Sequence, residues 1–298
     1  MTAKISLALI TILMGGPAMA ACATPSGPAY PTICHLAPGY DPQAQPYRPP
    51  QCSGTAVSFG ERAIITGAFD RAHSRVQADM CRLNMIFINP GNINFGVREN
   101  PADQGTGKYI MLDARLLSGG AGATLASEET QTQNAVLTVL GNTNVTLQYS
   151  ATPDSGFLGV LAVMAHEMGH VAWYEKNVRA KPCFANNFMT STWTGSVPNR
   201  RWVNFAAVTA NDHSIDPDTH PKKRRLTQGK LRKLHDNFVS VFAAVSPEED
   251  YVETYKLSAL LSDVVSNISA LSPGLGIDIV QNTQRQPISR KLACVRSM

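Results

Sequence analysis

The chain has 298 residues and 44% apolar content, which allows one large domain or two smaller ones and argues against wholesale disorder. A formal charge of +4 loads no single face, and no apolar run reaches the roughly eighteen residues of a membrane span. Neither nucleic acid nor an integral membrane segment is therefore expected.

Residues 1–20 read as a bacterial-type secretory signal peptide. Lys4 supplies the positive start, Ile5 to Met14 the short apolar run, and Ala18-Met19-Ala20 the small-residue cleavage site. Met19-Ala20-Ala21-Cys22 is a poor match to a lipoprotein box, so lipidation of Cys22 is the lesser expectation. All six cysteines follow the cut, and an even number in an exported chain predicts a disulfide framework. The expected pairing keeps Cys22, Cys34, Cys52 and Cys81 among themselves and joins Cys183 to Cys294. No CxxC pair offers a cysteine zinc site. Residues 21–57 hold proline at 25, 28, 31, 38, 42, 46, 49 and 50. Proline fixes φ and lacks an N–H, so this segment reads as an extended arm held by disulfides.

Order is expected from Ser58, in one domain over 58–298. Ser58-Phe59-Gly60-Glu61 has capping-box spacing. Ile64, Ala68, Ala72, Val76 and Met80 then recur every four residues, predicting one helix to about Arg82. Met85 to Ile88 predicts a buried strand closed by Asn89-Pro90-Gly91, Lys108 to Leu117 a second, and Val145 to Tyr149 a third. The GGAGAT stretch from Gly119 reads as a flexible loop, since no lysine follows at the spacing of a phosphate-binding loop. Phe157 to Met164 is apolar in nearly every direction, which predicts a helix buried on most sides. From Asn177 to Leu226 the pattern is irregular, and Lys222-Lys223-Arg224-Arg225 reads as a solvated turn. Leu231, Leu234, Phe238, Val241, Phe242 and Val245 predict another helix. Ser246-Pro247 opens a last one running to about Val265, and the tail to Met298 is weakly patterned. This order of elements predicts an α+β fold with a small mixed sheet, a buried central helix and a helical C-terminal half.

That buried helix carries VMAHEMGHVAWYE, Val163 to Glu175. His166-Glu167-Met168-Gly169-His170 has the HExxH form of zinc metalloproteases. Residues four apart share a helix face, so both imidazoles can reach one ion at about 2.0–2.1 Å. Glu167, beside them, is placed to take a proton from a water that the ion makes more acidic. Without an ion, a glutamate buried beside two histidines would cost on the order of several kcal/mol unless neutralised.

Catalytic zinc usually takes three protein ligands, so a third is required. The metzincin extension would place glycine and histidine three and six residues after His170, where Trp173 and Lys176 stand, so that group is excluded. Glu175 shares the helix but is turned away from the histidines. His213 and His220, in NDHSIDPDTHP, are alternative loop ligands. The best candidates lie in SPEEDYVETY, Ser246 to Tyr255. Glu249 and Glu253 share a helix face, so one can bind the ion while the other accepts the N–H of a ligating imidazole. Ser246, Pro247 and Glu249 also form a capping box, which alone would explain Glu249 and make Asp250 an ordinary first-turn acid, but leaves Glu253 unexplained.

HEMGH followed, 79 residues after His170, by EDYVE resembles the gluzincin branch of zinc metallopeptidases. The local pattern, Glu249, three residues, Glu253 and then an aromatic at Tyr255, looks like that of anthrax lethal-factor-type catalytic domains. The likeness covers the two motif helices and, by order of elements, about Ser58 to Val265. It implies a zincin-like metallopeptidase domain over 58–298, with one Zn2+ per chain held by His166, His170 and Glu249. Glu253 would stand behind a histidine and Glu167 would act as general base. The substrate would be a protein or peptide lying along a sheet edge, for which Val145 to Tyr149 is the expected strand. Thermolysin-like enzymes carry aspartate at the position of Glu253, a departure here. Tyr251, Tyr255, His213 and His220 are the candidates for stabilising the transition state. The expectation is thus a secreted or periplasmic zinc metallopeptidase. Its rivals are a zinc hydrolase of a non-protein amide and a disulfide-held binding protein with a non-catalytic metal site.

Overall fold

The computed structural model describes residues 22–24, 27–28, 30–40, 50–90, 95–97, 108–118, 121–139, 146–148, 155–194, 197–198, 234–261 and 279–298. The signal segment, the basic run at 222–225, and His213 and His220 lie outside the described residues.

Four strands form the principal sheet, in the order β1–β2–β4–β3. Strands β1 (Thr32–His35), β2 (Met85–Asn89) and β4 (Tyr109–Asp113) are parallel, and β3 (Phe95–Val97) runs antiparallel along the outer edge of β4. The two-residue period divides their side chains. Ile33, Ile86, Ile88, Ile110 and Leu112 enter the main core, while Cys34, Phe87, Tyr109 and Met111 pack with Leu36 on the opposite face. Burial on both faces is why MIFI and YIML are continuous apolar runs rather than alternating ones. The expected strand from Lys108 stops at Asp113, whose carboxylate accepts from Arg115 N at 2.8 Å and starts a 3-10 turn over Ala114–Leu117.

Order reaches further back than Ser58, since β1 comes from the proline-rich arm. The disulfides are Cys22–Cys81, Cys34–Cys52 and Cys183–Cys294, in the expected grouping. Cys22 Sγ is therefore occupied and leaves no thiol for a lipid. The single helix expected to Arg82 is two: α1 (Phe59–Arg71), opened by the Ser58–Glu61 capping box, and α2 (Ser74–Met80). The chain turns extended at Ala72, and His73 Nδ1 then accepts from Arg75 N to cap the second helix.

Helix α3 (Ala121–Val139) replaces the flexible loop expected from Gly119. Helix α4 (Ser155–Glu175) carries the HExxH motif, and Val160 to Ala165 are all buried. Thr146 to Gln148 is not a strand; the side-chain amide of Asn134 takes both main-chain groups of Leu147, at 2.8 Å each. The helix expected over Leu231 to Val245 gives way to turns after His235 and a 3-10 turn at Phe242–Ala244. Some of its backbone groups find side chains instead of helical partners. Lys291 Nζ donates to Asn237 O at 2.8 Å, and Phe242 N to Gln133 Oε1 at 2.8 Å.

Helix α5 (Pro247–Leu260) ends before the expected Val265. Two helices, α6 (Ile279–Thr283) and α7 (Ile288–Ser297), occupy the tail read as weakly patterned. Among the described residues no helix is long and apolar enough to cross a membrane.

Helices α4 and α5 approach closely at Gly169. A Cβ there would stand 3.1 Å from both Cα and Cγ1 of Val252. The glycine of HEMGH thus lets the helix bearing both histidines lie against the helix bearing the acidic cluster.

Candidate metal centre

His166 and His170 project from consecutive turns of α4, with ring centroids 5.1 Å apart. Opposite them, Ser246 caps α5 by accepting from Glu249 N at 3.0 Å, and Pro247 occupies the first turn, where no N–H is needed. Only this half of the capping box accounts for Glu249's backbone. The Glu249 side chain is turned to the histidines, with Oε1 3.6 Å from His170 Nε2. One donor atom from each of His166, His170 and Glu249 lies within 4.8 Å of the other two.

Each imidazole is held from behind by a carboxylate of α5. His166 Nδ1 meets Glu253 Oε1 at 2.8 Å, and His170 Nδ1 meets Glu248 Oε1 at 3.0 Å. An Nδ1–H donated to a carboxylate leaves Nε2 as the lone-pair nitrogen, the tautomer a metal ligand needs. Glu253 is nearly sealed, at 2% exposure, whereas Glu248 is 26% exposed and also accepts from Tyr174 Oη at 3.0 Å.

Burial by itself would lower both histidines. The hydrogen bonds donated to Glu253 and Glu248, with the charges of Glu167 and Glu249, reverse that and raise both, His170 to about 9. Burial would likewise raise Glu253, but the Lys256 ammonium and the His166 bond hold it well below the usual carboxylate range. Glu249 goes the other way: burial pushes its carboxyl up against the pull of the two histidines. Its Oε2 is buried without a hydrogen-bond partner among the described residues. A buried carboxylate that turns Oε1 to His170 and leaves Oε2 partnerless among the described residues calls for a cation. Ion binding would displace the extra proton from each imidazole, and two imidazoles and one carboxylate form a donor set suited to zinc, so these residues fit the expected ion.

Glu167 is buried at 6% exposure and its pKa is raised, by burial first, with Glu249's charge adding to it and the histidines opposing. It lines an open cavity of about 200 Å3 with His166, Val163, Phe242, Glu129 and Lys256.

Other residues weighed in the sequence lie elsewhere. Glu175 pairs with Lys108 and Arg82 at 2.8 and 3.0 Å. Tyr255 is buried with its hydroxyl donating to Asp79 at 2.8 Å, and Tyr251 packs among Trp173, Phe188 and Tyr255. Neither tyrosine is therefore a candidate for stabilising a transition state. Asp250 is no ordinary first-turn acid: fully buried, it accepts from Lys291 Nζ at 2.6 Å and Trp193 Nε1 at 2.8 Å.

Sequence reasoning missed Glu248, Lys256 and Glu129. Lys256 was within reach, standing three residues after Glu253 on the same helix. Glu129 was hidden with α3 itself.

Comparison of the chain with protein-family models, with curated proteins and with solved structures gives no match.

Proposed function

We propose that this protein is an exported zinc-dependent metallopeptidase of gluzincin type. The observation that carries the reading is the convergence of donor atoms of His166, His170 and Glu249, with Glu167 buried beside them. Zinc held by those three residues would supply Lewis acidity, acidifying a water and polarising a carbonyl. Glu167 accepts the proton of the attacking water and returns it to the departing amine; its raised pKa suits a group that must both take and give a proton. Glu253 and Glu248 keep the two imidazoles in the ligating tautomer and orientation. The substrate strand pairs along β3, which is the sheet edge lying against α4, in place of the Val145 to Tyr149 segment. A zincin-like fold accords with the antiparallel edge strand beside the motif helix. Three disulfides accord with a secreted or periplasmic setting.

The test is zinc per chain in the purified protein and in Glu249→Ala, together with casein hydrolysis by the parent and Glu167→Gln. Near one equivalent of zinc is expected, lost in Glu249→Ala. Hydrolysis should fall by about 10²–10⁴-fold in Glu167→Gln with zinc retained. A parent that takes up no zinc would sink the proposal. Zinc without proteolysis would refute the peptidase assignment and redirect the search to other amides.

A further inference from the structure

Lys256 stands where simple electrostatics would not put it. Its side chain is 7% exposed and lines the same cavity as His166 and Glu167, close to the proposed site of a divalent cation. Like charges that close repel, and burying an ammonium is costly in itself. The contacts of this lysine indicate what offsets that cost. Nζ donates to Glu253 Oε1 at 2.8 Å and to Glu129 Oε1, on α3, at 2.6 Å. The same Glu253 oxygen takes His166 Nδ1 at 2.8 Å. One oxygen atom is thus fixed between an imidazole and an ammonium, and the ammonium is fixed from the far side by α3.

A second path runs from Glu129 to the same histidine. Glu129 Oε2 accepts from Gln133 Nε2 at 2.9 Å, Gln133 Oε1 accepts from Phe242 N at 2.8 Å, and the Phe242 ring lies 6.0 Å from the His166 ring, tilted by 33°. Both the nitrogen behind His166 and the ring beside it are therefore set from Glu129.

We propose that Lys256 and Glu129 are positioning residues of the metal centre, acting through Glu253 on His166. Helix α3 then belongs to the centre although it supplies no ligand. The inference rests on the zinc reading above. Its rival is a purely structural tie between α3 and α5, and the two differ in sign. If Lys256 only ties helices, removing its charge should leave zinc binding unchanged or tighten it, because a repelling cation has gone. If it positions Glu253, removal should loosen zinc.

The measurement is zinc affinity by competition with a chelator of known strength, on the parent, Lys256→Met and the double variant Glu129→Leu/Lys256→Met. The visible spectrum of the Co2+-loaded proteins accompanies it. The double variant removes one charge of each sign, leaving net charge unchanged, and replaces a buried ion pair by apolar side chains, a change folds commonly tolerate. Its result decides if Lys256→Met does not fold. We expect about tenfold weaker zinc binding in both variants and an altered cobalt spectrum, the size usual for groups that hold a metal ligand. Either folded variant binding zinc as tightly as the parent, or more tightly, with the cobalt spectrum unchanged, overturns the proposal. Failure of the parent to bind zinc would instead overturn the function proposed above, and this inference with it.

Discussion

Alanine in place of Gly169 probes the contact that brings the two site helices together. Its Cβ would lie 3.1 Å from Val252 Cα, inside the roughly 3.5–4.0 Å at which carbons attract. The obstructing atom is backbone, so relief requires α4 and α5 to separate. Overpacking a tight interior costs about 1–3 kcal/mol. Against that, replacing glycine by alanine inside a helix gains about 1 kcal/mol at most. The clash wins, and a net loss of about 1 kcal/mol corresponds to a fall of roughly 2–4 °C in Tm for a domain of this size. Separation also carries Glu249 away from the histidines, so zinc affinity should fall by roughly fivefold to tenfold. Thermal unfolding and chelator competition read the two effects. Gly60→Ala is the control, because nothing lies within 4 Å of a Cβ built there. Were Gly169 needed only for chain freedom, its alanine variant would match that control; an unchanged or raised Tm would refute the close-approach argument.

Three further outcomes are expected. Glu253→Ala should weaken zinc binding by about 10–100-fold and Glu248→Ala by less, because water can replace a 26% exposed carboxylate but not a 2% exposed one; equal losses by chelator competition would contradict this. Lys291→Met should cost about 3–5 kcal/mol in denaturant unfolding by stranding Asp250, and Asp250→Asn/Lys291→Met should recover much of it; a loss under about 1 kcal/mol would mean the pair is not sealed. His235 is buried with neither ring nitrogen partnered among the described residues, and burial lowers its pKa from 6.5 to about 4. Between those values the unfolded chain binds the extra proton, so its contribution is complete above pH 6.5 and about 3 kcal/mol is lost as pH falls to 4. His235→Leu should flatten that slope, and an unaltered slope of stability against pH would refute the assignment.

Legibility followed the kind of pattern each element carries. Elements buried by apolar residues alone were readable: MIFI and YIML as strands, and Val160 to Ala165 as a helix interior. Elements whose inward face does polar work were not. The stripe of α3 is Leu125, Glu129, Gln133 and Leu137, two of four positions being polar because they face the cavity and Phe242. The inward positions of α7 include Lys291, which enters the core to meet Asp250. A hydrophobic period cannot register such positions. The turns at His235 to Val245 failed for the converse reason. Their apolar spacing is helical, but side chains of Lys291, Gln133 and Asn282 take the backbone groups a helix would pair. Within the site, residues joined by local spacing (His166, Glu167, His170, and Glu249 with Glu253) could be proposed. Glu129 could not, because its partner lies 127 positions along the chain.

Helix α5 explains how an acidic cluster is accommodated at so buried a place. Ser246 satisfies the Glu249 N–H and proline removes another free donor, so the Glu248 and Glu249 side chains are not needed for capping. The N-terminal end of the helix dipole favours both negative charges there. Glu253 sits one turn beyond that help, where burial would protonate it, and there the chain supplies Lys256 three residues on. The buried lysine thus stands where the dipole has faded, and it brings Glu129 and α3 with it. The asymmetry follows from helix geometry: His170 has a 26% exposed carboxylate that also accepts from Tyr174, and His166 a sealed carboxylate that needs its own counter-charge.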